Sequence, residues 1–152
     1  MRAKRTIAVI SALLGLILST AVPASAATGT WVPYGNDNPI TGSASKWVCA
    51  ASKTISTNVV AQVCAIRSPN SGDYVQGAVI VRNNRSSLFS TTASVEVRDR
   101  FTLDTLGIWE CPSSGVGANS WSVCFGSTTH WLYQVYALGY AKGEYLNMTG
   151  VA

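Results

Sequence analysis

Four cysteines are the residues of this chain whose type and spacing bear most directly on chemistry, and four thiols can do two different things. As thiolates they can hold a zinc ion; oxidised, they form two cross-links. Zinc sites draw on closely spaced cysteine pairs, and Cys49, Cys64, Cys111 and Cys124 include no Cys-x-x-Cys. The spacing therefore speaks for disulfides, provided that the chain reaches an oxidising compartment. Its first residues predict that it does. Met1 to Arg5 is basic, Ile7 to Leu18 is apolar or small throughout, and Ala24-Ser25-Ala26 has the small-x-small form of a cleavage site. Residues 1–26 are thus expected to be a secretory signal, with the mature chain starting at Ala27. The apolar run falls short of the roughly 20 residues that a bilayer helix needs, so no membrane association is expected once the signal is cut.

The favoured connectivity is Cys49–Cys64 with Cys111–Cys124, because odd separations let paired cysteines face each other across a hairpin. Gly117-Ala118 sits midway in the second pair, and glycine in first place suits a type II′ turn. The midpoint of the first pair, Ser56-Thr57, is a poorer turn, and a wider loop ending at Asn58 is the other option. A bridge between sheets, Cys49 or Cys64 to Cys124, is the rival arrangement. An immunoglobulin domain would also place a tryptophan soon after the first cysteine, and none follows Cys49 at that distance.

Other reactive types lack a constellation. His130 is the single histidine, in a polar stretch, and no Gly-x-Ser-x-Gly elbow accompanies it. Asp73, Glu96, Asp99, Asp104, Glu110 and Glu144 could supply a carboxylate pair for glycoside hydrolysis only if the fold brought two together. Ser113 to Gly117 is glycine-rich without the Lys-Ser or Lys-Thr of a phosphate cradle, and Asp37 and Asp73 lack the ligand run of a calcium loop. Catalytic residues, metal ligands and cofactors are accordingly all read as none. Asn84 and Asn147 each open a glycosylation sequon, which has meaning only in a eukaryotic secretory pathway. Aromatic rings are the remaining resource. Trp31, Tyr34, Trp131 and Tyr133 lie in the least regular segments and are the candidate ligand-binding residues, since exposed rings can stack on sugars. The stretch Cys111 to Cys124 could alternatively present a constrained loop around Val116, as a protease inhibitor would.

These side chains must be positioned by a small body with a weakly charged surface. Without the signal, the chain keeps eight basic residues against seven acidic ones, scattered among each other. No basic patch suited to nucleic acid results. Charged residues make up 12% of the sequence, so Ser, Thr, Asn and Gly must cover the surface. All fourteen aromatics follow the signal, which argues for a packed core.

Residues 27–45, rich in Gly, Pro, Asn, Thr and Ser, read as an extended arm joined to the fold through Trp31 and Tyr34. From residue 46 to 152 the pattern is all-β. Val59, Ala61, Val63 and Ala65 alternate onto one face, as do Val75, Val79 and Val81, while Ala78 and Ile80 predict that residues 74–81 are buried on both faces. Val95 and Val97 point inward from a strand whose Glu96 and Arg98 can pair outside. Weaker strands are expected over 108–111, 121–125 and 134–140. About seven strands fit a single antiparallel β-sandwich, with immunoglobulin-like topology left open, stapled by two disulfides.

The signal, Thr30-Trp31-Val32-Pro33-Tyr34-Gly35, the paired cysteines and Val79 to Asn84 together resemble the small secreted β-proteins of filamentous Gram-positive bacteria. That resemblance implies export and a small β-domain, and carries no activity with it. Gly29-Thr30-Trp31 with Gly35 is also similar to the start of lactococcin-type bacteriocins. The functional expectation is a secreted, non-enzymatic domain that binds a cell-wall glycan or an extracellular protein. Protease inhibition, bacteriocin-like action and a small extracellular hydrolase are the alternatives.

Overall fold

The computed structural model describes residues 25–70 and 72–152, so the predicted signal lies outside the described residues except for Ser25 and Ala26. Twelve strands and no helix are found among those residues. One sheet has the order β1-β8-β7-β11-β12 and the other the order β2-β9-β6-β5-β3. In the first are β1 (Ala27–Thr28), β7 (Phe89–Asp99), β8 (Thr105–Val116), β11 (Val135–Ala141) and β12 (Glu144–Met148). The second holds β2 (Thr30–Gly35), β3 (Lys46–Cys49), β5 (Val59–Arg67), β6 (Tyr74–Asn83) and β9 (Ser120–Phe125). Two short strands extend it: β4 (Lys53–Ser56) pairs with β5, and β10 (Thr129–His130) with β6. The two sheets pack face to face as a β-sandwich. All pairings are antiparallel except β1 with β8, which is parallel.

Period-two alternation explains the core. Val59, Ala61, Val63 and Ala65 of β5 and Val75, Val79 and Val81 of β6 are buried against Ala93, Val95 and Val97 of β7, Val135 and Ala137 of β11 and Leu146 of β12. Gly77 and Gly139 stand where the sheets approach most closely. A Cβ on Gly77 would lie 2.6 Å from Val95 Cγ2, and one on Gly139 would lie 2.7 Å from Val63 Cβ. As expected, β6 is the central strand of its sheet and is buried on both faces. Its outer face carries Ala78 and Ile80, which join Cys64, Ile66 and Val123 in a second cluster covered by Tyr34, Ile40, Trp47, Trp121 and Phe125. The segment read as an arm supplies part of that cover. Residues 27–28 and 30–35 are edge strands of the two sheets, and the chain passes between them at Gly29, whose N–H donates to Glu110 O at 2.8 Å.

Both disulfides have the expected connectivity, but only one has the expected setting. Cys49 and Cys64 face each other across β3 and β5. Their connection closes at Thr57-Asn58, with Ser56 opposite Val59, because an irregularity between Thr54 and Ser56 moves the turn by one residue. Asn58 adopts φ +58°, which asparagine tolerates better than most residues. Cys111–Cys124 is not a hairpin bridge. β8 and β9 belong to different sheets, and the chain crosses between them through residues 117–119, so this disulfide ties sheet to sheet through the core. Odd separation was read as cysteines facing each other across a hairpin, which holds for the first pair and not for the second, whose strands lie in different sheets.

Candidate functional site

Three connections meet at one end of the sandwich: residues 68–73 between β5 and β6, 100–104 between β7 and β8, and 131–134 between β10 and β11. The last residues of the chain join them, since Val135 and Ala152 exchange backbone hydrogen bonds at 3.2 and 2.9 Å. Two charged side chains fix this end. The Arg67 guanidinium donates to the carbonyls of Gly72, Trp131, Tyr133 and Ala152, tying two loops and the chain's end to the last residue of β5. Its pKa lies below the usual arginine value, because burial disfavours the charge, with Asp73 acting in the opposite sense.

Asp99 does the same for the remaining loop. Its Oδ1 accepts the N–H groups of Phe101 at 2.7 Å and Thr102 at 2.8 Å, and Oδ2 accepts the Trp131 indole N–H at 2.9 Å. The Thr102 N–H foremost, with those of Phe101 and the indole, holds the carboxyl below the ordinary aspartate range, although burial pushes it up. The 100–104 turn is thus ordered by its own first carboxylate and fastened to the 131–134 loop. Arg100 N–H donates to Gln134 O at 2.8 Å and completes the join.

What these fixed loops display is apolar. Ten large apolar side chains are exposed among the described residues, and six of them are here: Tyr74, Phe101, Leu103, Leu132, Tyr133 and Val151. Phe101 is 71% exposed and Leu132 63%. Leu103 is held at φ +64°, a left-handed backbone that disfavours a bulky residue and costs about 1–2 kcal/mol. A strained leucine with its side chain in water gains nothing for folding.

The four candidate aromatics do not form one surface. Trp131 and Tyr133 meet at this end, their ring centroids 6.0 Å apart and their planes at 71°. That edge-to-face pair is not a flat platform, and Trp131 is half-buried against the core while Tyr133 is exposed. Trp31 packs against the core from β2 and donates its indole N–H to Pro112 O at 2.8 Å, closing the side of the sandwich between β2 and β8. Tyr34 lies on the outer face of the second sheet. Phe101, Leu103, Leu132, Tyr74 and Val151 were missed from sequence. The signal was there in Phe101, Leu103 and Leu132: apolar side chains in stretches where strand alternation has already stopped.

Several of the other reactive groups have structural partners. Glu96 pairs with Arg98 at 2.6 Å, and Glu144 with Lys53 at 3.0 Å. His130 packs edge-on against Tyr74, with centroids 5.2 Å apart. Val116, which an inhibitory loop would have to present, is buried. No group of three or more His, Cys, Asp or Glu residues suited to a metal ion occurs among the described residues. No helix among them is long and apolar enough to cross a membrane. Comparison with family models, curated proteins and solved structures gave no match.

Proposed function

We propose that this protein is a secreted, non-enzymatic binding domain that docks on an extracellular protein through its Arg67–Asp99 loop end. One observation supports this above all: six exposed apolar side chains are gathered at one end of the sandwich, four of them (Phe101, Leu103, Leu132 and Tyr133) on loops whose conformation is already fixed from within. Fixed loops lower the ordering cost of association, and covering Phe101, Leu103, Leu132 and Tyr133 would remove apolar area from water, with tyrosine among the types most often found as anchors. The chemistry favours a protein over a sugar here, because Phe101, Leu103 and Leu132 offer no hydrogen bonds and the Trp131–Tyr133 pair lacks a flat face. Two disulfides suit the oxidising exterior.

Retention of the purified protein on intact cells of its source, or on their secreted proteins, tests the reading. Substituting Phe101→Ser, Leu132→Ser and Tyr133→Ser together is expected to lower affinity by about 1,000-fold or more, since each anchor is worth roughly 1.5 kcal/mol at least. Protease treatment of the cells should have the same effect. Unchanged retention of the triple variant, at unchanged thermal stability, would overturn the proposal.

A further inference from the structure

A cleft of about 520 Å³ crosses the outer face of the first sheet, in the half remote from the loop end, between β1, β8, β7 and the β11–β12 turn. Its volume lies in the range of small-molecule sites, roughly 300–1,000 Å³. It exists because the sheet is irregular there. The pairing of β7 with β8 shifts register between Thr91 and Ala93, and that of β11 with β12 between Leu138 and Tyr140. Such bulges bend strands and re-aim side chains, and they occur preferentially beside functional sites.

The lining has a definite chemical character. Thr28, Thr92, Ser94 and Glu110 bring three hydroxyls and a carboxylate, and Tyr140, 47% exposed, brings a ring. None of these five side chains makes a hydrogen bond or salt bridge to another described residue. In a molecule where Asp99, Glu96, Glu144 and Arg67 are all engaged, the three hydroxyls and Glu110 stand apart without a side-chain partner, while the Tyr140 ring packs against Tyr145 with centroids 5.2 Å apart. Hydroxyls both donate and accept, a carboxylate accepts from hydroxyls, and the face of a tyrosine packs against the C–H face of a pyranose. Two cations border the cleft in the mature chain: Lys142 Nζ, over the Phe89 ring at 5.6 Å, and the α-ammonium that cleavage after Ala26 would leave on Ala27. An apolar ligand would leave the hydroxyls unpaired, whereas hydroxyls, a carboxylate and ammonium groups can all exchange hydrogen bonds with the hydroxyls of a sugar.

From this lining we infer that the cleft binds a saccharide, with Tyr140 as the stacking face and Glu110, Thr92, Ser94 and Thr28 as hydrogen-bonding partners. This site is separate from the loop end, so the domain carries two contacts: apolar for protein at one end, polar for glycan on one sheet.

The experiment is an amide chemical-shift titration of the secreted protein with soluble β-1,4-linked glucose and β-1,4-linked N-acetylglucosamine oligosaccharides, up to about 10 mM. Saturable shifts are expected at residues 28, 92–94, 110 and 140–143 with at least one of them. Tyr140→Ala should weaken binding at least tenfold and Glu110→Gln several-fold, whereas the Phe101, Leu132 and Tyr133 triple variant should bind sugar normally. Three results would overturn the inference: no shifts with either series, shifts confined to residues 131–134, or affinity unaltered in folded Tyr140→Ala and Glu110→Gln proteins. The cell-retention experiment reads the other contact, so each proposal fails on its own evidence.

Discussion

A single carboxylate shows how the loop end is set. Asp99 ends β7 facing inward, and its three accepted hydrogen bonds order the following turn and anchor Trp131 of the next loop. Its folded pKa lies below the unfolded value of about 3.9, so the stabilisation is complete above that pH and is lost as pH falls through the folded value. Glu96 contributes with the same sign: burial would raise its pKa, but hydrogen bonds from Arg98 and Thr105 and the guanidinium charge hold it low. Asp99→Asn keeps an oxygen for the Phe101 and Thr102 N–H groups but removes the titration. Urea unfolding of the variant across pH 2–5 is therefore expected to show a shallower acid limb, with the slope reduced by up to one proton. Superimposable limbs would mean that the charge of Asp99 does not matter to the fold. Nothing local in the sequence marked Asp99 for this work, because the indole that it holds is 32 residues away.

At the level of elements, the two disulfides make a natural comparison. They close loops of near-equal length, with separations of 15 and 13 residues, so the chain-entropy model assigns each roughly 3 kcal/mol, differing by about 0.1. Their surroundings differ more. Cys111 and Cys124 lie in the core between the sheets, whereas Cys49 is half-buried on the outer face of one sheet. Replacing Cys111 and Cys124 by alanine should therefore cost about 1 kcal/mol more than replacing Cys49 and Cys64, through the cavity left behind. Denaturant unfolding of the two double variants measures this, and an equal or reversed cost would contradict it. The same contrast shows what was legible. β5, β6 and β7 could be read because each buries a run of alternating small or branched residues. β12 could not, since as an edge strand it buries Leu146 alone. β2 contains Pro33, which an edge strand tolerates for want of a second neighbour and which reads as irregular in sequence. The β8–β9 crossing was mistaken for a hairpin because Gly117-Ala118 fits a tight turn, while the choice of sheet depends on strands distant in the chain.

For the molecule as a whole, the decisive property is how little charge it shows. Most acidic and basic side chains that could have formed a patch are paired or dispersed, and the exposed character at one end is apolar. The class of fold was legible, because strand patterning and the spacing of the cysteines set it. The exposed apolar end was not, because its members come from residues 74, 101, 103, 132, 133 and 151, which only the assembled sandwich brings together. A consequence follows for solution behaviour. Raising NaCl from about 0.1 to 1 M shortens the Debye length from roughly 10 to 3 Å and removes most long-range attraction between charges. Retention through the loop end should change by less than about twofold over that range, and sulfate should strengthen it by favouring apolar burial. A fall with salt as steep as charged interfaces show would instead place the contact on Arg100, Asp104 and Asp73, the charged residues of the same loops. The cell-retention assay repeated across a salt series separates the two, because only the apolar contact survives at 1 M and gains from sulfate.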